Sequence, residues 1–393
     1  MKITGIKTYK FDVPAGEETH DRNTGALLSS NFKPWLFLKI ETDTDISGWG
    51  EGSGGWLAPS VEPTLHEWSV LLIDQDPLRV VALTEDIPNR LPFKGGPVFA
   101  TALAAINMAL YDIAGKAWGV PVHTILGGRQ RDRVRVYRGG NIFSDPEQAV
   151  AEARRVQSCG VAGLKGNPLE NRTWPMDGTA IDHSTSCVTA VREELGPGFD
   201  ILLDTHGSPT PELSIEFARC VAPLRPLFLE EPVKVGSTEA LLQVSRQSPV
   251  PIATGEKLFS LQEFQPLIDQ RACAFLQPDV AHCGGITGLM DIARAARQAQ
   301  MLMAPHMDGG PISFAATLHA DAVSANFLIQ ETAFFEQLNR YVEHPWVIED
   351  GYVNISDQPG LGIEVKEQDI AELTYEPPPY RQYRHADGSW KGW

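Results

Sequence analysis

The sequence lacks any apolar run approaching the ~18 residues that argue for a membrane helix. Its first ten residues, Met1 to Lys10, lack the apolar core of a secretory leader. A cytoplasmic protein with no membrane partner is therefore expected. Cysteine is scarce. There are five in 393 residues, at positions 159, 187, 220, 273 and 283, with no Cys-x-x-Cys and an odd count. That excludes a disulfide framework and leaves reduced, mostly buried thiols. Positive charge is also short: 33 Lys and Arg stand against 50 Asp and Glu, a net charge of −17. General nucleic-acid binding needs basic patches, and this balance disfavours it. Small anionic substrates stay open, because screening beyond about 8 Å hands control to local charges. With 42% hydrophobic and 21% charged residues, disorder, collagen and coiled coil are excluded for the whole chain.

What is present divides in two. Ile3 to Val13 and Trp35 to Ile40 read as strands, separated by a long polar stretch from Pro14 to Asn31. A loop of that length is usually functional or mobile. A strong helical pattern runs from Val98 to Trp118 and stops at Gly119, with Pro121 beyond. The first ~125 residues therefore read as α+β. After Gly127–Gly128, short apolar runs alternate with helical segments such as Pro211–Val221 and Ile286–Gln300. The runs are Arg133–Tyr137, Gly163–Lys165, Asp200–Asp204, Leu227–Glu230, Pro251–Thr254, Ala274–Gln277, Met301–Ala304 and Asn326–Gln330. Strand–helix alternation argues for a parallel sheet. Eight runs is the count that closes a (β/α)8 barrel, here over residues 126–345. The tail holds a strand-like Gly360–Val365 and then a Pro-rich end.

An ionisable residue stands at the end of seven successive runs: Lys165, Asp204, Glu230, Glu256, Asp279, His306 and Glu331. The intervals match one βα unit, so all seven fall at the C-terminal face, where barrel active sites lie. Asp204, Glu230 and Glu256 sit on consecutive strands, and their carboxylates would converge. Uncompensated, they would repel and rise in pKa. A hard divalent cation removes the conflict, and an all-carboxylate set suits Mg²⁺ rather than zinc, which more often recruits histidine or cysteine. Glu231 adjoins Glu230; strand alternation lets only one face inward, and the spacing selects Glu230. Two histidines flank this centre. His206 lies two residues past Asp204, on the same side if the strand continues. His306 ends the seventh run beside Asp279, an arrangement that makes an Asp–His base.

These residues resemble the enolase superfamily in its mandelate-racemase-like branch, and within it the galactonate dehydratases. The matching stretches are Ala105–Lys116, Leu126–Gly128, Asp204-Thr-His-Gly207, Phe228–Pro232, Gly255-Glu-Lys257, Leu276-Gln-Pro-Asp279, Gly284–Thr287 and Ala304-Pro-His306. The resemblance implies an α/β fold: a (β/α)8 barrel, the modified TIM barrel, over 126–345, under an α+β capping domain over 1–125. It implies that the segment 346–393 packs back on the cap and completes it. It assigns Asp204, Glu230 and Glu256 to Mg²⁺, His306 with Asp279 to proton removal beside a carboxylate, and His206 to protonation of a leaving hydroxyl. Lys165, Asn167 and Glu331 then bind substrate. Related sites use a Lys or His base with Mg²⁺ stabilising an enediolate.

Racemases of this branch often carry Lys-x-Lys on the second strand, the second Lys being a base on the opposite face. Here the residues are Lys165-Gly166-Asn167, and Asn cannot abstract a proton. Elimination, which needs one base and one acid, is favoured over racemisation. The expected activity is dehydration of an aldonate, galactonate-like, to its 2-keto-3-deoxy acid. Gluconate or arabinonate are alternative substrates, with a racemase or cycloisomerase third. A non-catalytic scaffold would have lost ligands or acid–base groups, and none is lost. The stretch Pro14–Asn31 and the insertion Leu169–His183 are expected to shape the pocket. The family's habit implies a homo-oligomer, with a small sugar acid as the other partner.

Overall fold

The computed structural model describes residues 1–14, 19–20, 27–29, 32–55, 57–93, 95–169, 178–333 and 335–377. Three antiparallel strands open the chain: β1 (Ile3–Pro14), β2 (Phe32–Thr42) and β3 (Ser47–Glu51), with β2 central. Trp35, Leu36, Phe37, Leu38 and Ile40 of β2 are wholly buried, so this strand is covered on both faces. Three helices follow, α1 (Ala58–Leu72), α2 (Val80–Arg90) and α3 (Pro97–Trp118). Pro97 sits in the first turn of α3, and left-handed Gly119 ends it, as the sequence signals predict. Contrary to the expectation that no apolar stretch has that length, α3 is long and apolar enough to cross a membrane. It is instead a core helix, with 83% of its most apolar window buried. Strand β3 lies against it backbone to backbone. A Cβ on Gly48 would meet the Ala109 carbonyl oxygen at 2.2 Å, and one on Gly50 the Ala105 oxygen at 1.9 Å. Only glycine permits that approach.

Of the stretch Pro14–Asn31, Pro14 ends β1, and Thr19–His20 and Leu27–Ser29 form a short antiparallel pair; the rest lies outside the described residues. Within the insertion Leu169–His183, residues 170–177 also lie outside them.

The short helix α4 (Val122–Ile125) leads into eight parallel strands: β4 (Arg133–Gly139), β5 (Gly163–Gly166), β6 (Asp200–Asp204), β7 (Phe228–Glu230), β8 (Ile252–Thr254), β9 (Phe275–Leu276), β10 (Leu302–Met303) and β11 (Gln330–Thr332). Neighbours pair from β4 through β10, and β11 returns to pair with β4. Between β10 and β11 the contact is a parallel bridge, Met303 to Phe327. The last strand therefore starts later than the apolar run Asn326–Gln330 predicts. The run Asn326–Leu328 meets β10 only through that bridge, with the Met303 N–H on the Asn326 carbonyl and the Leu328 N–H on the Met303 carbonyl, both at 2.8 Å. Helices α5 (Pro146–Ser158), α6 (Gly178–Leu195), α7 (Pro211–Val221), α8 (Thr238–Gln247), α9 (Leu261–Asp269), α10 (Gly285–Gln298) and α11 (Pro311–Val323) alternate with the strands. Tyr137, Leu202, Phe228, Ala253, Phe275, Ala304 and Ile329 form a separate apolar cluster, one inward residue from nearly every strand. That layer fills the barrel beneath its mouth.

The C-terminal segment divides. Strands β12 (Ile348–Glu349) and β13 (Tyr352–Asn354) extend the barrel sheet, β13 running antiparallel to β4. Beyond them the chain turns to the cap. Gly360–Val365 is not the strand its composition suggests. Gly360 has φ 71°, and its neighbour Leu361 donates its N–H to Asp112 Oδ1 on α3 at 2.9 Å. The polar groups that a ladder would need go instead to α3 and to the Val120 carbonyl. Helix α12 (Phe335–Arg340) precedes this segment and α13 (Glu367–Ala371) closes it; Glu367 pairs with Lys39 of β2 at 2.6 Å and with Tyr9 of β1. Among the cysteines, Cys187, Cys273 and Cys283 are buried and Cys159 and Cys220 exposed, all free thiols.

Candidate active site

Side chains alternate across a strand, so the residue two beyond each member of the apolar layer faces the barrel mouth. Leu202 leads to Asp204, Phe228 to Glu230, Ala304 to His306 and Ile329 to Glu331. Asp204 and Glu230 are register partners on β6 and β7. Glu256 follows β8. Asp204, Glu230 and Glu256 each offer an oxygen, and these atoms lie within 4.8 Å of one another. Glu231 turns away with φ 45°. Its carboxylate accepts from Thr254 Oγ1 at 2.6 Å and from the Gly255 N–H at 3.1 Å, between strands rather than at the mouth.

Lys165, at the end of β5, lies inside the acidic cluster. Its Nζ is 2.9 Å from Glu230, 2.9 Å from Glu331 and 3.5 Å from Asp204. Burial opposes its charge, but Glu230 and Glu331 outweigh burial and raise its pKa well above the usual lysine value. Burial, and then the Asp204 charge, push the Glu230 carboxyl up to about 8. Asp204 moves the other way: burial pulls it up, but His206 and Lys165 hold it below the carboxylate range. Glu230 Oε2 is buried without a hydrogen-bond partner. An all-oxygen donor set, one member orphaned and destabilised by its neighbours, fits a hard divalent cation.

The two histidines reach this cluster from different sides. His206 Nε2 is 3.0 Å from Asp204 Oδ2, and its Nδ1 is 2.8 Å from the Asn167 carboxamide. It does not continue the strand, as alternation would have it. The chain leaves β6 at Asp204, and His206 takes φ 52°, its N–H returning to Asp204 Oδ1 at 2.9 Å. A tight turn, not the pleat, brings the ring back over Asp204. Burial lowers its proton affinity, but Asp204 raises it further, to a pKa of about 9. His306 Nδ1 is 2.8 Å from Asp279 Oδ2, and its Nε2 is 3.4 Å from Glu256 and 4.0 Å from Glu331. Burial lowers its pKa, but Glu256 and Asp279 raise it well above the usual histidine value.

The structure thus brings Asp204, Glu230, Glu256, His206, His306, Asp279, Lys165, Asn167 and Glu331 to one mouth. It adds two residues that sequence reasoning missed. Tyr137 reaches up from β4 to within 3.4 Å of Glu331, and Lys257 spans Glu256 at 3.3 Å and the His206 carbonyl at 2.9 Å. Tyr137 is the last residue of the first apolar run, and Lys257 follows a proposed ligand. Polarity at a strand end was the available signal for both.

The fold matches that of known proteins. The "Enolase C-terminal domain-like" family model matches residues 148–369, and the "Mandelate racemase / muconate lactonizing enzyme, N-terminal domain" model matches residues 19–127. The chain belongs to the enolase superfamily. A D-galactonate dehydratase of Variovorax paradoxus is 38% identical to it, over 91% of this chain and 96% of the relative. A D-galactonate dehydratase of Ralstonia nicotianae is 37% identical over the full length of both. Among solved structures, an enolase from Agrobacterium radiobacter, with sodium and L-malate bound, superposes with a TM-score of 0.88 at 27% identity, covering all of both chains. An enolase-superfamily member from Salmonella Typhimurium gives 0.83 at 26% identity, over 93% of this chain and 98% of that one. The superfamily's divalent metal matches the acidic triad at this barrel mouth.

Proposed function

We propose that this chain is a Mg²⁺-dependent acid-sugar dehydratase that converts a galactonate-like aldonate to its 2-keto-3-deoxy acid. The observation that carries the reading is the placement of two imidazoles around one carboxylate triad, each against a different carboxylate, with Asn167 at the end of β5. One base and one acid suffice for elimination, whereas racemisation needs a second base. The names of the relatives agree with this chemistry.

Asp204, Glu230 and Glu256 would hold the Mg²⁺. When bound, the ion supplies positive charge opposite the negative charge that builds on the substrate carboxylate. His306 would take the proton from carbon 2 at Nε2. Asp279 fixes Nδ1 and so aims Nε2 at the cleft. His206 gives a proton from Nε2 to the 3-hydroxyl as the C3–O bond breaks, so that water leaves and a C2–C3 double bond forms. The resulting enol ketonises to the 2-keto-3-deoxy acid. Lys165 offers charge and donors to the substrate carboxylate, Glu331 hydrogen-bonds it, and Asn167 holds His206 while facing the sugar. Tyr137, Phe228 and the rest of the apolar layer keep bulk water from below, which strengthens each of these charges.

The test is a screen of acid sugars with Mg²⁺, scoring 2-keto-3-deoxy products. D-galactonate is expected to turn over, with gluconate and arabinonate as comparison substrates. Bound metal with no product from any acid sugar would sink the proposal.

A further inference from the structure

The loop that carries His306 is tied to the cap at two points. Glu51, the last residue of β3, is wholly buried. Its carboxylate crosses from the cap to accept the N–H of Gly310 and, at 2.8 Å, that of Ser313. These are first-turn donors of α11, whose N-cap residue is Gly310 and has no side chain to serve them. The second tie is Asp308. Its Oδ2 accepts the Gly55 N–H at 2.8 Å, and its Oδ1 meets Lys33 Nζ at 3.2 Å, both partners belonging to the cap. The N–H of the same Asp308 donates at 3.2 Å to Asp279 Oδ2. That oxygen is the one that holds His306 Nδ1 at 2.8 Å.

The geometry points to Glu51 as a positioning residue: the cap, through Glu51 and the Lys33–Asp308 pair, sets the orientation of the Asp279–His306 base. The hydrogen bonds of Glu51 go to Gly310 and Ser313 and not to the proposed metal ligands. It anchors the far end of the segment 306–313, and Lys33 and Gly55 anchor its middle. A cap that shifts relative to the barrel pulls on Asp308, and the pull is transmitted to the oxygen that aims His306. A displacement of about 1 Å at a reacting group can cost about 100-fold in rate. This inference rests on the proposed role of His306 but not on the identity of the substrate.

The experiment uses the full-length protein with Mg²⁺ and two variants. Glu51→Gln keeps the shape but sets an NH₂ against one backbone N–H. Lys33→Met, at the rim of the same seam, guards against a Glu51→Gln protein that does not fold. Two readouts are followed. The first is the low-field proton resonance of the His306 Nδ1–Asp279 bond, assigned by its absence in His306→Asn. The second is steady-state turnover with carbon-2-deuterated substrate. The resonance is expected to shift or broaden away in both variants. Turnover should fall about 10- to 100-fold in Glu51→Gln and less in Lys33→Met. KM should hold, and the deuterium isotope effect on kcat should rise as proton removal becomes limiting. A resonance and an isotope effect identical to the parent's, with activity falling only as the folded fraction falls, would overturn the inference. A parent protein that shows the resonance but dehydrates no acid sugar would instead remove the dehydratase reading, and the resonance in the variants would still decide this one.

Discussion

His206 and His306 stand on two flanks of one carboxylate triad, yet different parts of the molecule fasten them. His206 is held within the barrel: Asp204 two residues before it, Asn167 from the neighbouring strand, and Lys257 on its carbonyl. Its side chain is 39% exposed. His306 is 16% exposed, and the chain around it is held by two domains, with Asp279 below and the Asp308 and Glu51 contacts to the cap above. The proposed acid is thus a local construction, complete once the four consecutive strands β5 to β8 have formed. The proposed base is complete only when cap and barrel are docked. The proposed base therefore has the larger scaffold.

The comparison breaks down most fully at the centre that both sides share. Glu256→Gln removes one charge from the triad and should abolish turnover while leaving the barrel folded. Calorimetric titration should show Mg²⁺ affinity greatly weakened; unchanged affinity would remove Glu256 from the metal set. Next, the two imidazoles can be separated by incubation with substrate in D₂O. His306→Asn should lose both dehydration and exchange of the carbon-2 proton, because Asn167 supplies no substitute base. His206→Asn should lose dehydration and keep exchange, since the first step does not need it. General acid–base groups contribute about 10²–10⁴-fold, so both losses are measurable. Exchange surviving in His306→Asn alone would reverse the two assignments. The smallest effect is expected for Asn167→Ala. It frees the His206 ring at Nδ1, and dehydration should drop about tenfold with exchange unaffected, as fits the loss of one orienting hydrogen bond. A parallel loss of exchange would show that the two sides are not independent.

Much of this was legible before any coordinates. A barrel repeats one βα unit, so a charge at each strand end marks the mouth by arithmetic alone, and Asp204, Glu230, Glu256, Asp279 and His306 are found where that phase puts them. The register partnership of Asp204 with Glu230 follows from the same repeat. Side-chain alternation, unlike the βα repeat, fails where the backbone turns. His206 reaches the mouth through a left-handed turn, which no alternation rule describes. Glu51 could not be found at all, because its partners lie some 260 positions away and are backbone N–H groups, which leave no mark on side-chain identity. Gly360–Val365 misled for the related reason that an aspartate on α3 claims its backbone.

The bare backbone contact of Gly48 and Gly50 with α3 bears on how such a protein can diverge. Any side chain at either position would force strand and helix apart, and Glu51 is the very next residue. Inherited change at this seam is therefore barred from both sides, by contact at the glycines and by a buried carboxylate beside them. Lineages that acquire a new preferred sugar acid must do so with this seam unaltered, so Gly48, Gly50 and Glu51 should be among the slowest positions of the cap to drift.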